Sequence, residues 1–213
     1  GELMLDKTFI EKLFKQWNLI FQANIETLTE LDSVGGDGDL GIVMGDGFKA
    51  ADQFVHDSME TDLGKLFYQA GKCFNNAASS SMGTLLSSGF MNIGKKLKGK
   101  TALANEELLL LVCEMAAGVK QTGKAEEGEK TFLDAIYPAA RSIEANLKSA
   151  PIDFLTAGYQ AACQGVDDAA KMEAKHGRLA FRKADSIGII DPGTVVAKLY
   201  VEGLLKTIAS EQQ

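Results

Sequence analysis

Apolar positions recur at helical spacing through almost the whole chain, and no stretch alternates apolar and polar residues as a half-buried strand would. From Thr8, the residues Phe9, Leu13, Trp17, Ile20, Ile25 and Leu28 mark a first helix ending near Glu30, with Thr8 and Glu11 spaced as a capping box. A second helix runs from about Gly41 to His56. Asp62 is placed to cap a third, which carries Leu63, Leu66, Phe67, Ala70 and Phe74. Asn75 to Ser81 reads as a loop of small polar residues before a fourth helix with Leu85, Leu86, Phe90 and Leu97, closed by Lys95 to Lys100. Asn105 is a cap candidate for a fifth, with Leu108, Leu111, Val112, Met115 and Val119. Gln121 to Lys130 breaks the pattern. A sixth helix starts at Thr131, with Asp134 three residues on and Pro138 expected to kink it. Pro151 suits the first turn of a seventh that passes through Leu155, Tyr159, Val166 and Met172. After a polar connection from His176 to Asp191, an eighth follows Pro192. The expectation is an all-α single domain over residues 1–213, a bundle or barrel of eight antiparallel helices.

If consecutive helices are antiparallel neighbours, the first, third, fifth and seventh connections share one end of the bundle. These are LDSVGGDGDL, NNAASSSMG, QTGKAEEGEK and HGRLAFRKADSIGIIDPG, rich in Gly, Ser, Asp and Lys or Arg. The other connections read as ordinary turns. One end is therefore the expected site, with Arg178 and Lys124 as its cations and helix N-termini supplying free amides.

Composition narrows the function classes. A net charge of -7 with no basic cluster argues against nonspecific nucleic-acid binding. No apolar run approaches twenty residues, and the start GELMLDKTF does not resemble a secretory signal, so a cytosolic protein without a membrane span is expected. The three cysteines lie far apart in apolar stretches and read as buried free thiols. Two isolated histidines, His56 and His176, argue against a zinc enzyme or a histidine-based triad.

The chemistry concentrates in Leu31 to Phe48, LDSVGGDGDLGIVMGDGF. Asp32, Asp37 and Asp39 fall within eight residues, and the intervening glycines let the backbone fold so that three carboxylates converge. Such a trio repels itself unless cations compensate or protons are taken up. All-oxygen ligands suit magnesium or calcium, and magnesium is commonly held by a few carboxylates with a substrate's phosphates. A glycine-rich acidic loop is also what a solvated turn looks like. The loop is not an EF-hand, since a count from Asp37 puts Phe48 where the bidentate Glu belongs, and no GK[ST] follows it as in a Walker loop.

Three stretches, GGDGDLG, TGKAEEGEKTFLDAI and HGRLAFRKADSIGIIDPG, resemble in order and spacing the signature regions of the nucleotide-binding L subunit, or L domain, of dihydroxyacetone kinases. The resemblance covers nearly the whole chain. It implies a barrel of eight antiparallel helices holding ADP or ATP at one end through two magnesium ions on Asp32, Asp37 and Asp39. By motif it also implies nucleotide contacts from the Leu40, Gly41, Ile42 and Val43 backbone, Ala78, Ser79, Gly123, Phe132, Arg178, Asp191, Pro192 and Gly193, with Arg178 serving catalysis. Family members commonly carry His, Thr and Asn near the positions of Leu40, Ile42 and Val43, a departure that bears on phosphate contacts.

The implied activity is phosphoryl transfer to dihydroxyacetone or a similar short ketose held by a separate K subunit, in which the ketone is bound covalently through a histidine. Within the family, fused enzymes use exchangeable ATP, whereas the separate-subunit type keeps ADP as a cofactor that a phosphocarrier M subunit rephosphorylates. A free-standing chain fits the second type. The alternative is a non-catalytic paralogue that acts by docking to a regulator.

Overall fold

The computed structural model describes residues 3–212, and nine α-helices supply nearly all of their regular structure. They are α1 (Lys7–Ala23), α2 (Ile25–Gly35), α3 (Leu40–Asp57), α4 (Leu63–Ala77), α5 (Ser81–Lys96), α6 (Leu108–Gly123), α7 (Leu133–Ala145), α8 (Pro151–Ala170) and α9 (Pro192–Glu211). Two short strands, Leu5–Asp6 and Ala102–Leu103, pair antiparallel. Two 3-10 segments cover Asn105–Glu107 and Arg178–Ser186. The all-α class is as expected; the count of eight is not, because the first expected helix is two. Asn24 ends α1 with φ -112° and ψ 11°, and its side chain bonds back to the Ile20 carbonyl at 2.7 Å.

From α3 to α9 each helix packs on the next, and α1 packs on both α3 and α9, so the series closes on itself. The shorter α2 sits beside α3 and α9. Aromatic side chains from several helices fill the interior. Trp17 stacks on Tyr200 with ring centroids 4.7 Å apart, and Phe90 lies within 6.2 Å of Trp17, Phe14, Phe48, Phe74 and Tyr200. All are buried, and each contributes roughly 1.5–3 kcal/mol by leaving water. Their polar atoms are satisfied: the Trp17 indole donates to the Tyr200 carbonyl at 2.8 Å, and the Tyr200 hydroxyl donates to the Leu111 carbonyl at 2.5 Å. α9 approaches α1 this closely because residue 203 is glycine; a Cβ there would lie 2.1 Å from the indole.

Several helix starts depart from the expected caps. Asp6, not Thr8, caps α1, accepting from the Phe9 amide at 3.3 Å, while Glu11 pairs with Lys7 at 2.8 Å. Asp62 caps α4 as expected. Asn105 does not cap α6; it lies in the 3-10 turn, where Glu107 accepts from the Ala104 amide at 2.9 Å. The polar loop after α4 is shorter than expected, since Asn75 to Ala77 finish that helix and Ser80 caps α5. α7 starts at Leu133, two residues later than expected; Asp134 accepts from the Thr131 amide, the Thr131 hydroxyl accepts from the Leu133 amide instead of that of Asp134, and the helix runs on through Pro138. The three thiols are free and half-buried rather than buried. Among the described residues no helix is long and apolar enough to cross a membrane.

Candidate functional site

The starts of α3, α5, α7 and α9, the ends of α2 and α6, and the chain leading into α9 meet around one cavity of 640 Å³. This is the convergence that alternating helix directions require, and it unites the four unusual connections. Its mouth is acidic. Asp32 sits in the last turn of α2, where its carbonyl accepts from the Gly36 amide at 2.6 Å. The chain then turns through Gly38, whose φ of +76° is open to glycine at little cost, and Asp39 ends the turn as the residue before α3. Carboxylate oxygens of Asp32, Asp37 and Asp39 lie within 4.8 Å of one another. The structure thus brings together all three residues that the sequence singles out.

Crowding sets their protonation. Burial raises the Asp39 carboxyl first, followed by its hydrogen bond to Asp37 and the charges of Asp37 and Asp32. Asp37 is held below the ordinary carboxylate value, mainly by that hydrogen bond from Asp39 and further by the Arg178 guanidinium, 3.6 Å away. The Asp32 carboxylate accepts from the Leu40 amide at 3.2 Å, and no side chain caps α3. Among the described residues, the amides of Gly41 and Ile42 have no protein acceptor, so the positive end of α3 faces outward beside the carboxylates.

The expected contacts divide into two groups. Leu40, Ser79, Gly123, Phe132, Arg178, Asp191, Pro192 and Gly193 line the cavity, joined by Ser80 and Ser81. Gly41, Ile42, Val43 and Ala78 do not line it. Gly41 is pressed on α2, where a Cβ would lie 2.1 Å from the Ile25 carbonyl oxygen. Ile42 points to solvent, 57% exposed, Val43 packs against the core, and Ala78 is fully buried. Lys124, which the sequence leaves open between a phosphate contact and a solvated surface lysine, is exposed. It ends α6 in the left-handed conformation, φ 57°, and lies outside the cavity wall. The lysine that does line the wall is Lys130, 2% exposed and invisible to sequence reasoning because EEGEK looks like solvated surface.

The far wall is a stretch of chain laid across the ends of α2 and α8. Leu179 is buried against Gly35, and Arg182 donates to the Val34 carbonyl at 2.5 Å. Asp191 caps α9 through the Thr194 amide at 3.2 Å. Burial pushes its carboxyl up to about 7, against the opposing pull of the Thr194 and Gly193 amides and of Lys130, while Asp134 adds to the rise. Asp134 is itself buried and accepts from the amides of Gly128 at 2.6 Å and Thr131 at 2.9 Å, which fixes the loop before α7.

At the opposite end, Gly94 to Thr101 reads GKKLKGKT, which fits the phosphate-loop pattern GxxxxGK[ST]. Its context is wrong. Gly94 lies inside α5, the stretch follows a helix C-terminus instead of opening a helix, and Lys100 is paired with Glu107 at 2.6 Å. A helix C-terminus repels phosphate, so this match carries no nucleotide site.

The DAK2 domain family matches residues 34–206, which begins two residues after Asp32. The ADP-binding subunit DhaL of PEP-dependent dihydroxyacetone kinase 2 from Listeria innocua is 29% identical over 211 residues, covering 98% of each chain. The corresponding Escherichia coli subunit is 29% identical over 213 residues, covering 98% of this chain and all of its own. Among solved structures, the dihydroxyacetone kinase of C. freundii in complex with AMP-PNP and Mg2+ superposes with a TM-score of 0.72 at 24% identity. That match covers 93% of this chain and 34% of the larger enzyme, and it shows a common fold. With the family match spanning most of its length and DhaL subunits aligned end to end, the chain belongs to the DAK2 domain family of dihydroxyacetone kinase L subunits.

Proposed function

We propose that this chain is the nucleotide-handling subunit of a cytoplasmic dihydroxyacetone kinase, binding ADP or ATP through two magnesium ions and serving phosphoryl transfer to dihydroxyacetone or a similar short ketose on a partner K subunit. ADP stays bound as a cofactor, rephosphorylated by a phosphocarrier M subunit. The observation that carries this reading is the carboxylate trio, with its oxygens within 4.8 Å, at the mouth of a cavity rimmed by helix N-termini. Its relatives of matching length are named as ADP-binding subunits, and the related fold in C. freundii is described with AMP-PNP and Mg2+.

The donor set fits magnesium. It is all oxygen and anionic, and the mutual repulsion of its converging carboxylates is what a divalent cation would relieve. Asp32, Asp37 and Asp39 would hold it, and the chemistry it would supply there is compensation of phosphate charge during phosphoryl transfer. The amides of Gly41 and Ile42 offer the phosphates a dipole end that needs no polar side chain. Arg178, ion-paired to Asp37 in the free protein, turns to the terminal phosphate and stabilises its charge. The apolar side chains of Leu40, Met82, Leu85 and Phe132 along the cavity keep water from the rest of the ligand.

The ketone site is supplied by the partner, so the chain alone binds but does not turn over. The test is to incubate it with magnesium, ATP and dihydroxyacetone, with and without a matching K subunit, and to follow sugar phosphate. Turnover that needs both chains supports the reading; robust turnover by this chain alone defeats the division of labour. The exposed, apolar Ile42 at the start of α3 favours a second reading, a non-catalytic paralogue that docks to a regulator. That reading gains if nucleotide binds and no partner restores transfer.

A further inference from the structure

Lys130 has no carboxylate in ion-pair contact among the described residues, although it is buried. Its ammonium donates instead to three backbone carbonyls: Ala170 at 3.0 Å, Met172 at 3.1 Å and Ser186 at 2.8 Å. That uses all three of its N–H donors. Ala170 ends α8, Met172 follows it, and Ser186 closes the 3-10 segment, so one side chain ties the outgoing and returning arms of residues 171–191. The same arms are joined by the Gly188 amide to the Ala170 carbonyl at 2.6 Å and by the Ala174 amide to the Ser186 hydroxyl at 2.9 Å. Glu129 adds two further ties, accepting from the Lys175 amide at 3.3 Å and pairing with His176 at 2.7 Å.

The backbone accepts a cost to make this possible, for Lys130 has a φ of +64°, an uncommon conformation for a side chain other than glycine, asparagine or aspartate. A purely structural interior position is filled as well or better by an apolar side chain. What the lysine achieves is specific to the segment it holds, which carries Arg178 near its middle and Asp191 at its end, both on the cavity wall. A segment of this length that had to order on binding would subtract its ordering cost from the ligand's affinity.

We propose that Lys130 is the positioning residue of this site: its ammonium locks residues 171–191 into a preformed wall, so that Arg178 and Asp191 stand in place before a ligand arrives. This rests on the nucleotide reading above. Lys130→Met keeps the cost of the backbone conformation and removes the donors. Ile93→Val, in the buried core at the far end of α5, is the control for general loss of stability.

The experiment measures hydrogen exchange in the free proteins and ADP affinity with magnesium by calorimetry well below the melting temperature. Lys130→Met is expected to lose at least tenfold protection within residues 172–190 and at least tenfold in ADP affinity, while Ile93→Val changes neither. Retention of either property by Lys130→Met overturns the proposal. If that variant does not fold, amine labelling of the wild type decides: Lys130 must react at least a hundredfold more slowly than exposed Lys124, and equal rates overturn it. If wild-type protein binds no ADP, the nucleotide reading falls, and the exchange pattern and labelling rates still decide whether the lock exists.

Discussion

Asp191→Asn isolates one buried charge. Burial lifts the Asp191 carboxyl from 3.8 to about 7. A rise of about three units corresponds to ~4 kcal/mol between the two protonation states at 1.36 kcal/mol per unit. The residue keeps some exposure to the cavity, where water screens the charge, so ~4 kcal/mol is the ceiling and about 2 kcal/mol the working figure. The sign follows from proton binding: the folded protein holds this proton more tightly than the unfolded chain. The group's contribution is therefore fully present below about pH 4 and lost as pH rises through about 7. Asparagine preserves the cap to the Thr194 amide and never ionises. At pH 8.5 the variant should be more stable by about 2 kcal/mol, raising the melting temperature by roughly 4–8 °C in a chain of this size. The advantage should shrink as pH falls and be under about 0.5 kcal/mol at pH 4. Urea unfolding of both proteins at pH 4, 7 and 8.5 measures it. A variant less stable at pH 8.5, or a difference independent of pH, would refute the reasoning.

Tyr200→Phe removes the hydroxyl's bond to the Leu111 carbonyl in a sealed core, and should cost roughly 0.5–1.5 kcal/mol by urea unfolding. Lys183 adopts φ 51° and ψ -125°, a region suited to glycine, so Lys183→Gly should raise stability by about 1 kcal/mol, and a loss would show that this turn is not strained. Asp37→Ala should leave the metal-free protein as stable as wild type or slightly more so, read as melting temperature in chelator. Loss of the fold would mean that the acid builds the loop instead of waiting for a cation.

Much of this architecture is legible in the sequence because helical periodicity is strong and the cap at Asp62 obeys a local rule. The break at Asn24 is missed by a reading that runs one helix to Glu30, although the five-residue step from Ile20 to Ile25 slips off one helical face and signals it. The aspartate cluster and the gathering of four connections at one end follow from spacing and from alternating helix direction. What the sequence does not reveal is which way a side chain faces in a loop. Lys124 and Lys130 sit in the same polar run, yet one ends a helix in solvent and the other turns inward at positive φ. That difference is set by carbonyls of residues 170, 172 and 186, forty or more positions away. Gly41 illustrates the same limit: the sequence does not reveal that residue 41 must lack a Cβ for α3 to close on the Ile25 carbonyl.

The central claim is that the three aspartates make nucleotide binding depend on magnesium, and thermal unfolding with ADP tests it most directly. A ligand bound only by the folded protein adds about 2.7 kcal/mol at a hundredfold excess over its dissociation constant, roughly 5–10 °C for a chain of this size. The wild type should gain that much from ADP in magnesium and little in chelator, and Asp37→Ala should gain little in either. An equal gain in magnesium and chelator, or an undiminished gain in the variant, would contradict the account.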